Sequence, residues 1–298
     1  MLAELLSAAG VVVGTWQTGP PLPLPRTEVA GAAVRGEVYV VGGYLADGRS
    51  SSRVDVYSPR ARRWRRGPDL PVAVNHAMAA SYRGRLYVVG GYGGNGRTLR
   101  SAYVLVRGRW RHLPPLPASR AAAGAAVAAS RLYVVGGVRR PGVLARVAYA
   151  LDLRRRRWTT VPGPTPREHL AAASHDGRIY AIAGRTGGIS ENLTLLESLT
   201  PDARAWASLP PVPESRGGTG AAAVAGHVVS VGGEQPAGTI ASVFAYDLRA
   251  RRWDRLPDLP TPRHGLAVVA VGRRVFVIAG GPRPGLFVSG VNESLDFG

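Results

Sequence analysis

The sequence predicts an all-β fold in which six similar four-stranded sheets repeat along one chain. Three observations support this prediction. A short strand ending in a glycine doublet or a close variant recurs six times, from "EVYVVGG" at 37–43 to "RVFVIAG" at 274–280. Six tryptophans recur at intervals of 46 to 48 residues. The composition, with 39 Gly and 24 Pro, is typical of many turns and few long helices.

Each repeat is predicted to supply four antiparallel strands, which in the first repeat are 27–34, 37–43, 53–58 and 62–67. The first strand of every repeat is rich in small residues, which suits strands crowded around an axis. A twisted four-stranded sheet cannot bury both faces alone, so neighbouring sheets must stack. Closing the stack into a ring protects the sheet edges, which predicts a β-propeller. The tryptophans that mark the fourth strands are Trp16, Trp64, Trp110, Trp158, Trp206 and Trp253.

The repeat resembles the kelch motif. The resemblance is carried by the glycine doublet, a large residue about seven positions before the tryptophan, the tryptophan itself and the "LPxLPxPR" bridge into the next repeat. It covers about residues 15–298. Six matching units imply a six-bladed β-propeller of four-stranded antiparallel blades, of the bacterial stand-alone type. The large residues include Tyr57, Leu151, Leu199 and Tyr246.

The two ends of the chain are predicted to build one blade together. The last repeat has a third strand at 291–297 but no tryptophan after it, whereas Trp16 precedes the first complete repeat. Residues 11–18 are therefore expected to supply the missing outer strand. The expected organisation is an N-terminal tail at 1–10 and a single propeller at 11–298, with blades at about 26–67, 74–113, 120–161, 167–209, 216–256 and 263–297 plus 11–18.

Composition limits the possible functions. The chain has no Cys, which excludes disulfides, thiolate metal sites and the Cys–Tyr cofactor of copper oxidases with kelch blades. The net charge is +19 and all 38 basic residues are Arg, whose planar guanidinium suits carboxylate and phosphate. The apolar start of the chain lacks the basic region of a secretory signal, so a cytoplasmic protein is expected if residue 1 is the true start, with a secreted or periplasmic location as the alternative.

The loops between second and third strands vary in length and lie on the same face as the bridges between blades. This loop face is the expected binding site, because binding residues concentrate on loops held by a rigid scaffold. Five blades carry an arginine sixteen residues before the first position of the glycine doublet, and the second blade has Val74 there. A ring of five guanidinium groups would bind an anionic ligand. Alternatively, each arginine fixes its own bridge through hydrogen bonds to backbone carbonyls. These arginines are Arg26, Arg120, Arg167, Arg216 and Arg263.

Positions that break the repeat are the best individual site candidates. Two residues after the arginine position stand Glu28, His76 and His169, where the other blades have Ala or Gly, so the fold does not require these polar groups. No histidine pair has HxH or HxxxH spacing, so no metal is expected, and no cofactor motif is present. No catalytic residue is assigned. Further ligand-binding candidates on the loop face are Tyr44, Tyr92, Arg185 and Glu234.

The predicted function is a kelch-repeat interaction or ligand-binding scaffold that engages an acidic protein segment or an anionic small molecule such as a sugar acid. The alternative is a carbohydrate-active isomerase, since the sialic acid mutarotases resemble this chain in blade number. Nucleic acid is not expected as a partner, because only the net charge favours it. We expect a monomer without a transmembrane segment. Candidate acids or bases for the alternative are Glu28, Glu168, Glu214 and Glu234.

Overall fold

Six blades surround one axis in the computed structural model, which describes residue 11 and residues 13–298. Each blade is a four-stranded antiparallel sheet. The small residues of the first strands bring these strands together at the axis, where a Cβ on Gly31 would lie 2.6 Å from the Cβ of Ala267. The predicted six-bladed propeller is confirmed. The expected tail at 1–10 lies outside the described residues.

Within each blade, strand order from axis to rim follows the chain, except that the outer strand of blade 6 comes from the N-terminal end. Across the described residues, no helix has the length and apolar character needed to cross a membrane. From inner to outer, the strands are Ala30–Val34, Glu37–Val41, Val54–Ser58 and Arg63–Arg66 in blade 1; Met78–Tyr82, Arg85–Val89, Ala102–Val106 and Arg109–His112 in blade 2; Gly124–Ala128, Arg131–Val135, Val147–Asp152 and Arg157–Pro162 in blade 3; Ala171–His175, Arg178–Ile182, Leu196–Leu199 and Ala207–Leu209 in blade 4; Gly220–Val224, His227–Val231, Val243–Asp247 and Arg252–Leu256 in blade 5; and Ala267–Val271, Arg274–Ile278, Asn292–Asp296 and Gln17–Thr18 in blade 6.

Short ribbons decorate three blades on the loop face. Each ribbon has two strands and is separate from the blade sheets. In blade 2 the bridge before the blade pairs with the loop after the second strand, and in blades 3 and 5 this loop pairs with itself. Their strands are Val74–Asn75 with Tyr92–Gly93, Val138–Arg140 with Val143–Leu144, and Glu234–Gln235 with Gly238–Thr239.

Blade 6 joins the two ends of the chain. Gln17 pairs with Ser294, and Thr18 pairs with Glu293, in antiparallel register. The predicted closure is confirmed, although the ladder is restricted to Gln17–Thr18 and does not fill the expected range of 11–18. Outside the ladder, the N–H of Gly14 donates a hydrogen bond to the carbonyl of Asp296 at 2.9 Å.

The tryptophans connect neighbouring blades at the rim. The indole Nε1 of Trp64 donates a hydrogen bond to the carbonyl of Pro20 at 2.8 Å. Trp16 closes the circle by donating to the carbonyl of Pro257 at 3.0 Å. The tryptophan and the proline-rich bridge recur at the same interval because they form one hydrogen bond, in which the tryptophan is the donor and a proline carbonyl is the acceptor. The other pairs are Trp110 with Pro68, Trp158 with Pro114, Trp206 with Pro162 and Trp253 with Pro210.

The second glycine of each doublet connects neighbouring blades nearer the axis. The N–H of Gly43 donates to the carbonyl of Val74 in the next blade at 2.8 Å, and the N–H of Gly280 donates to that of Arg26 at 2.9 Å. The backbone of Gly43 has a φ of 99°, and a Cβ there would lie 2.6 Å from the carbonyl oxygen of Thr27. Only glycine fits this close approach to the bridge residue of its own blade.

The hydrophobic core is divided into six layers, one between each pair of neighbouring blades. Between blades 1 and 2, for example, Val41 and Val54 belong to the same buried cluster as Leu86 and Val88. The other five clusters join the remaining neighbours in the same way, including blade 6 with blade 1. Since each sheet buries both faces against others, the ring is the unit that holds the loop face in place.

Candidate functional site

The loop-face end of the axial channel is built from matching positions of all six blades. In every blade, the residue after the second glycine forms an antiparallel bridge with the residue after the arginine position, as Tyr44 does with Thr27 and Arg185 with Glu168. The next residue along the chain then lies at the mouth of the channel. We call these six the belt residues: Glu28, His76, Ala122, His169, Gly218 and Gly265.

Backbone hydrogen bonds run from blade to blade through the belt residues. The N–H of His76 donates to the carbonyl of Glu28 at 3.0 Å, and the N–H of His169 donates to that of Ala122 at 2.8 Å. The circle closes where the N–H of Val29 donates to the carbonyl of Gly265 at 3.2 Å. All six belt residues have φ between 49° and 67°, in the left-handed region that favours glycine. Positions with a histidine or glutamate there are therefore strained, as is common at functional sites.

Glu28, His76 and His169 meet across the axis, and we call them the axial cluster. His76 Nε2 lies 3.1 Å from Glu28 Oε2 and 3.0 Å from His169 Nε2. Their side chains are only 11 to 12% exposed. They border a cavity of about 100 Å³ whose other walls are mostly small or apolar, including Ala122 and Gly218. The fold thus brings together three predicted site residues from blades 1, 2 and 4.

Carboxylates lie both within the axial cluster and around it. Glu28 Oε1 lies 3.2 Å from His264 Nδ1, and Glu168 Oε1 lies 3.3 Å from His169 Nδ1. Arg185 Nη1 donates to Glu234 Oε1 at 2.8 Å. Three carboxylates, Glu28, Glu168 and Glu234, therefore lie at the channel mouth, and the guanidinium of Arg185 lies near the last two. The centre of the loop face is locally acidic although the chain has a net charge of +19.

Burial and neighbouring charges set the ionisation of this region. Burial lowers the pKa of His76 to about 4, which keeps its imidazole neutral at pH 7. Burial also disfavours the Glu28 carboxylate, but the three histidines around it outweigh burial and hold its pKa below the usual range. For His264, burial is outweighed by Glu28 and Glu234, so its pKa is raised. Shifts of opposite sign within one cluster are typical of functional sites.

Two tyrosines form an aromatic wall beside His76. The ring centroids of Tyr44 and Tyr92 lie 5.8 and 5.4 Å from that of His76, both in edge-on geometry. Burial raises the pKa of Tyr92 to about 12 and also raises the pKa of Tyr44. Both phenols are therefore neutral at physiological pH. The structure places seven of the predicted site residues at this mouth: Glu28, Tyr44, His76, Tyr92, His169, Arg185 and Glu234.

The five predicted ring arginines do not line the channel mouth, which corrects the expectation of open guanidinium groups. All five are 0% exposed, because each side chain is buried within the blade stack. Arg263 donates to the backbone carbonyls of Thr261, Val277 and Ala279 and to Glu293. The alternative interpretation, in which each arginine fixes its bridge, describes these contacts. The residues concerned are Arg26, Arg120, Arg167, Arg216 and Arg263.

Each buried arginine contacts one matching position in the third strand of its blade. In blades 1, 4 and 6 this position is acidic and forms an ion pair with the arginine, as Asp55 does with Arg26 at 2.7 Å. In blades 3 and 5 it is aromatic, and the guanidinium lies 4.8 Å from the ring centroid of Tyr149 and 5.2 Å from that of Phe244. The pairing within blades explains why the arginine recurs.

Asn75 was not among the predicted site residues, although it orients His76. Its Oδ1 lies 2.6 Å from His76 Nδ1, while its Nδ2 donates to Ser50 Oγ at 2.8 Å. A signal for it exists in the sequence, because the position before each belt residue also differs from blade to blade. Those residues are Thr27, Asn75, Ala121, Glu168, Gly217 and His264.

Comparisons with known proteins agree with this architecture. A family model described as the KLHDC2/KLHL20/DRC7 Kelch-repeats domain matches residues 75–281, and one described as the Kelch motif matches residues 25–71. The Kelch-like protein terF of Aspergillus terreus (strain NIH 2624 / FGSC A1156) is 29% identical over 102 residues, which span 32% of this chain and only 22% of that protein. A solved structure described as "Structure of YjhT" has a TM-score of 0.79 at 16% identity, covering 92% of this chain and 95% of that chain.

Proposed function

The chain belongs to the kelch-repeat family, and from this premise we propose that it is a non-enzymatic binding propeller that captures an acidic protein segment on its loop face. The buried arginines have no part in this binding, since they are enclosed within the blades. The supporting observation is a second set of arginines, which is exposed on the loops of the same face.

We call Arg97, Arg139 and Arg140 the basic rim. All three are exposed on the loops of blades 2 and 3. The two loops touch, because Thr98 Oγ1 donates a hydrogen bond to the carbonyl of Arg139 at 2.6 Å. Asp47, on the loop of blade 1, is already paired with Arg49, and no described residue forms an ion pair with the basic rim. The guanidinium groups of the rim are thus available to carboxylates of a partner.

An apolar contact lies on another part of the same face. Leu286 and Phe287, in the loop between the second and third strands of blade 6, are 48% and 45% exposed. Arg283 lies over the ring of Phe287, 5.7 Å from its centroid. Exposed aromatic and arginine side chains are enriched where proteins bind one another. A partner segment that carries both acidic and apolar side chains fits this face.

The basic rim can be tested with a fluorescent ten-residue peptide containing five glutamates, alongside the same peptide with glutamines. We expect fluorescence anisotropy to detect binding of the glutamate peptide only, weakening as salt is raised. Exposed ion pairs contribute roughly 0.2–1 kcal/mol each. The R97A/R139A/R140A variant should therefore bind the glutamate peptide about tenfold more weakly than the wild type.

The matched control is R154A/R155A/R157A, which removes the same charge from exposed positions in the turn after the third strand of blade 3 and at the start of its outer strand. We expect this variant to bind the glutamate peptide nearly as well as the wild type. Equal losses in the two triple variants would show that only the net charge of the protein attracts the peptide, and the proposal would be abandoned.

A second candidate function is a carbohydrate-active isomerase of the mutarotase type that acts at the channel mouth. The observation that favours it is a neutral imidazole beside an ionised carboxylate, since burial lowers the pKa of His76 and the surrounding histidines hold the pKa of Glu28 below its usual range. NMR measurement of the anomerisation rate of sialic acid tests this function. An acceleration over buffer that the E28Q variant loses would support it, and a rate equal to that of buffer would reject it.

A further inference from the structure

Three electron-pair donors face one another in the axial cluster. His76 Nδ1 lies 2.6 Å from Asn75 Oδ1, which can only accept, so the lone pair of neutral His76 is on Nε2. Glu168 Oε1 lies 3.3 Å from His169 Nδ1 and favours a proton there, which leaves the lone pair of His169 on its Nε2 as well. His76 Nε2 lies 3.0 Å from His169 Nε2 and 3.1 Å from Glu28 Oε2, and one possible ligand atom from each of the three residues lies within 4.8 Å of the others.

The electron pairs of these three atoms repel one another unless a positive charge lies between them. A proton on one Nε2 can be shared well with only one neighbour, whereas a metal ion accepts electron pairs from all three. Zinc binds nitrogen and oxygen at about 2.0–2.2 Å, which places neighbouring donor atoms roughly 3 to 3.5 Å apart. The distances of 3.0 and 3.1 Å from His76 Nε2 to its two neighbours agree with that geometry.

We propose that the axial cluster binds one divalent transition-metal ion of the zinc class, ligated by His76 Nε2, His169 Nε2 and a carboxylate oxygen of Glu28. Two imidazoles and one carboxylate favour zinc and neighbouring first-row metals over calcium and magnesium, which prefer oxygen ligands throughout. Three protein ligands leave a coordination position open. The adjoining cavity of about 100 Å³ has room for a water or a ligand group there.

The surroundings of the axial cluster suit a bound cation. Glu168 and Glu234 add two further carboxylates near it, against the single guanidinium of Arg185. Asn75 and Glu168 lie where the outer partners of metal-binding imidazoles lie, next to the second ring nitrogen. The hydrogen-bonded circle of belt residues holds the backbone of all three ligands. No sequence spacing reveals this site, because its ligands come from three different blades.

The site can be tested on the full chain after removal of metal with EDTA and dialysis. Isothermal titration with zinc chloride is expected to show one ion bound per chain. Titration with cobalt(II) should give visible absorption bands of a nitrogen- and oxygen-ligated ion. The H76A/H169A variant should lose at least 100-fold in zinc affinity. Alanine is compatible with the backbone at these positions, since Ala122 occupies the same belt position with a φ of 50°.

The control variant is H112A/H175A, which also removes two histidines but leaves the axial cluster intact, and it should bind zinc like the wild type. The N75L variant should bind zinc about tenfold more weakly, since Asn75 positions a ligand. Thermal unfolding in EDTA establishes that each variant is folded.

Two outcomes would overturn the proposal. One is the lack of saturable zinc binding by the wild-type protein, which would show that a proton and not a metal ion supplies the positive charge between the three atoms. The other is equal zinc affinity in the wild type and in folded H76A/H169A. The R97A/R139A/R140A variant should keep zinc binding while binding the glutamate peptide more weakly, so this proposal and the proposed function can fail separately.

Discussion

Arg263 shows how a charged side chain is retained in the blade stack. A guanidinium removed from water costs several kcal/mol unless its donors are satisfied. Here Nε and both terminal nitrogens donate to backbone carbonyls, and Nη1 also lies 2.7 Å from Glu293 Oε2. The ion pair therefore links the bridge before blade 6 to the third strand of that blade.

Replacing Arg263 by methionine should be strongly destabilising, because it leaves the carboxylate of Glu293 buried without its partner. We expect the free energy of unfolding to fall by about 3–5 kcal/mol in denaturant titrations. The double variant R263M/E293L should recover the part of this loss that comes from the unpaired carboxylate, because an apolar pair can replace a buried ion pair. The part that comes from the carbonyls of Thr261, Val277 and Ala279, which still lack the donors of Arg263, should remain. A loss below about 1 kcal/mol in R263M would contradict a structural role for the pair.

His76 should make the stability of the metal-free protein depend on pH. Its pKa is lowered to about 4 in the folded state, against an ordinary value of 6.5. As pH falls from about 6.5 to 4, His76 becomes protonated in the unfolded state but stays neutral in the folded state. The free energy of unfolding therefore falls over this window, by up to about 3 kcal/mol. His264 has a raised pKa, so the stability it contributes is lost at higher pH, as pH rises above about 6.5, and it adds little slope within this window.

The measurement is denaturant unfolding in EDTA at a series of pH values between 7 and 4. We expect the H76A variant to lose less stability across the window than the wild type. The H112A variant should follow the wild type, because His112 is exposed on an outer strand. Parallel curves for the wild type and H76A would rule out His76 as the source of the slope.

Glycine at the end of the second strand allows this strand end to lie against the bridge that leads into its own blade. Both Gly43 and Gly36 have positive φ, at 99° and 80°, but only at Gly43 would a Cβ meet neighbouring atoms. We expect G36A to cost about 1–2 kcal/mol for backbone strain alone. G43A should cost a further 1–3 kcal/mol from the close contact with Thr27. Chemical unfolding of both variants measures the difference, and equal losses would contradict the close approach.

The number and order of strands follow from the sequence, but strand ends depend on geometry that the apolar pattern does not show. The first strand was expected to begin at residue 27 and is observed to begin at Ala30. Thr27 instead bridges to Tyr44, and Glu28 turns into the left-handed region to join the belt. Nothing in a run of small residues distinguishes a turn of this kind from an extended strand.

The ring as a whole could be predicted because its period is marked by residues that bind across blades, such as Trp64 with Pro20. The axial cluster could be predicted only as candidates. His76 and His169 are 93 positions apart and meet because their blades face the same axis. The prediction that the recurring arginines lie at the channel mouth was wrong for a related reason. The sequence does not show which residue pairs with each arginine, because the partner, such as Asp55 in the third strand, comes beside it only in the fold.

Closure of the ring can be tested with an engineered disulfide, since the chain has no Cys to compete. Gln17 and Ser294 are paired across the closing ladder, so Q17C/S294C should form a bond that encloses nearly the whole chain. The control S58C/R63C links a paired hairpin in blade 1 and encloses only a few residues. In the chain-entropy model, the closing disulfide raises the free energy of unfolding more than the hairpin disulfide does, and the difference between the two is up to about 3 kcal/mol.

Thermal unfolding of the oxidised and reduced forms of both variants gives the comparison. We expect a larger rise in melting temperature for the closing disulfide than for the hairpin disulfide. A closing disulfide that forms but leaves the melting temperature unchanged would indicate that the ladder opens well before the rest of the ring unfolds.

The hydrogen bond of 2.9 Å between Gly14 and Asp296 has a consequence for engineering this backbone. Positions so far apart in the chain are neighbours in space, so a short linker can splice them and new termini can be cut in an exposed turn. Such circular permutation needs no rearrangement of the blades, because every seam between blades uses the same contacts. The permuted chain, which would start and end at a different turn, would keep the loop face with its basic rim and axial cluster unchanged.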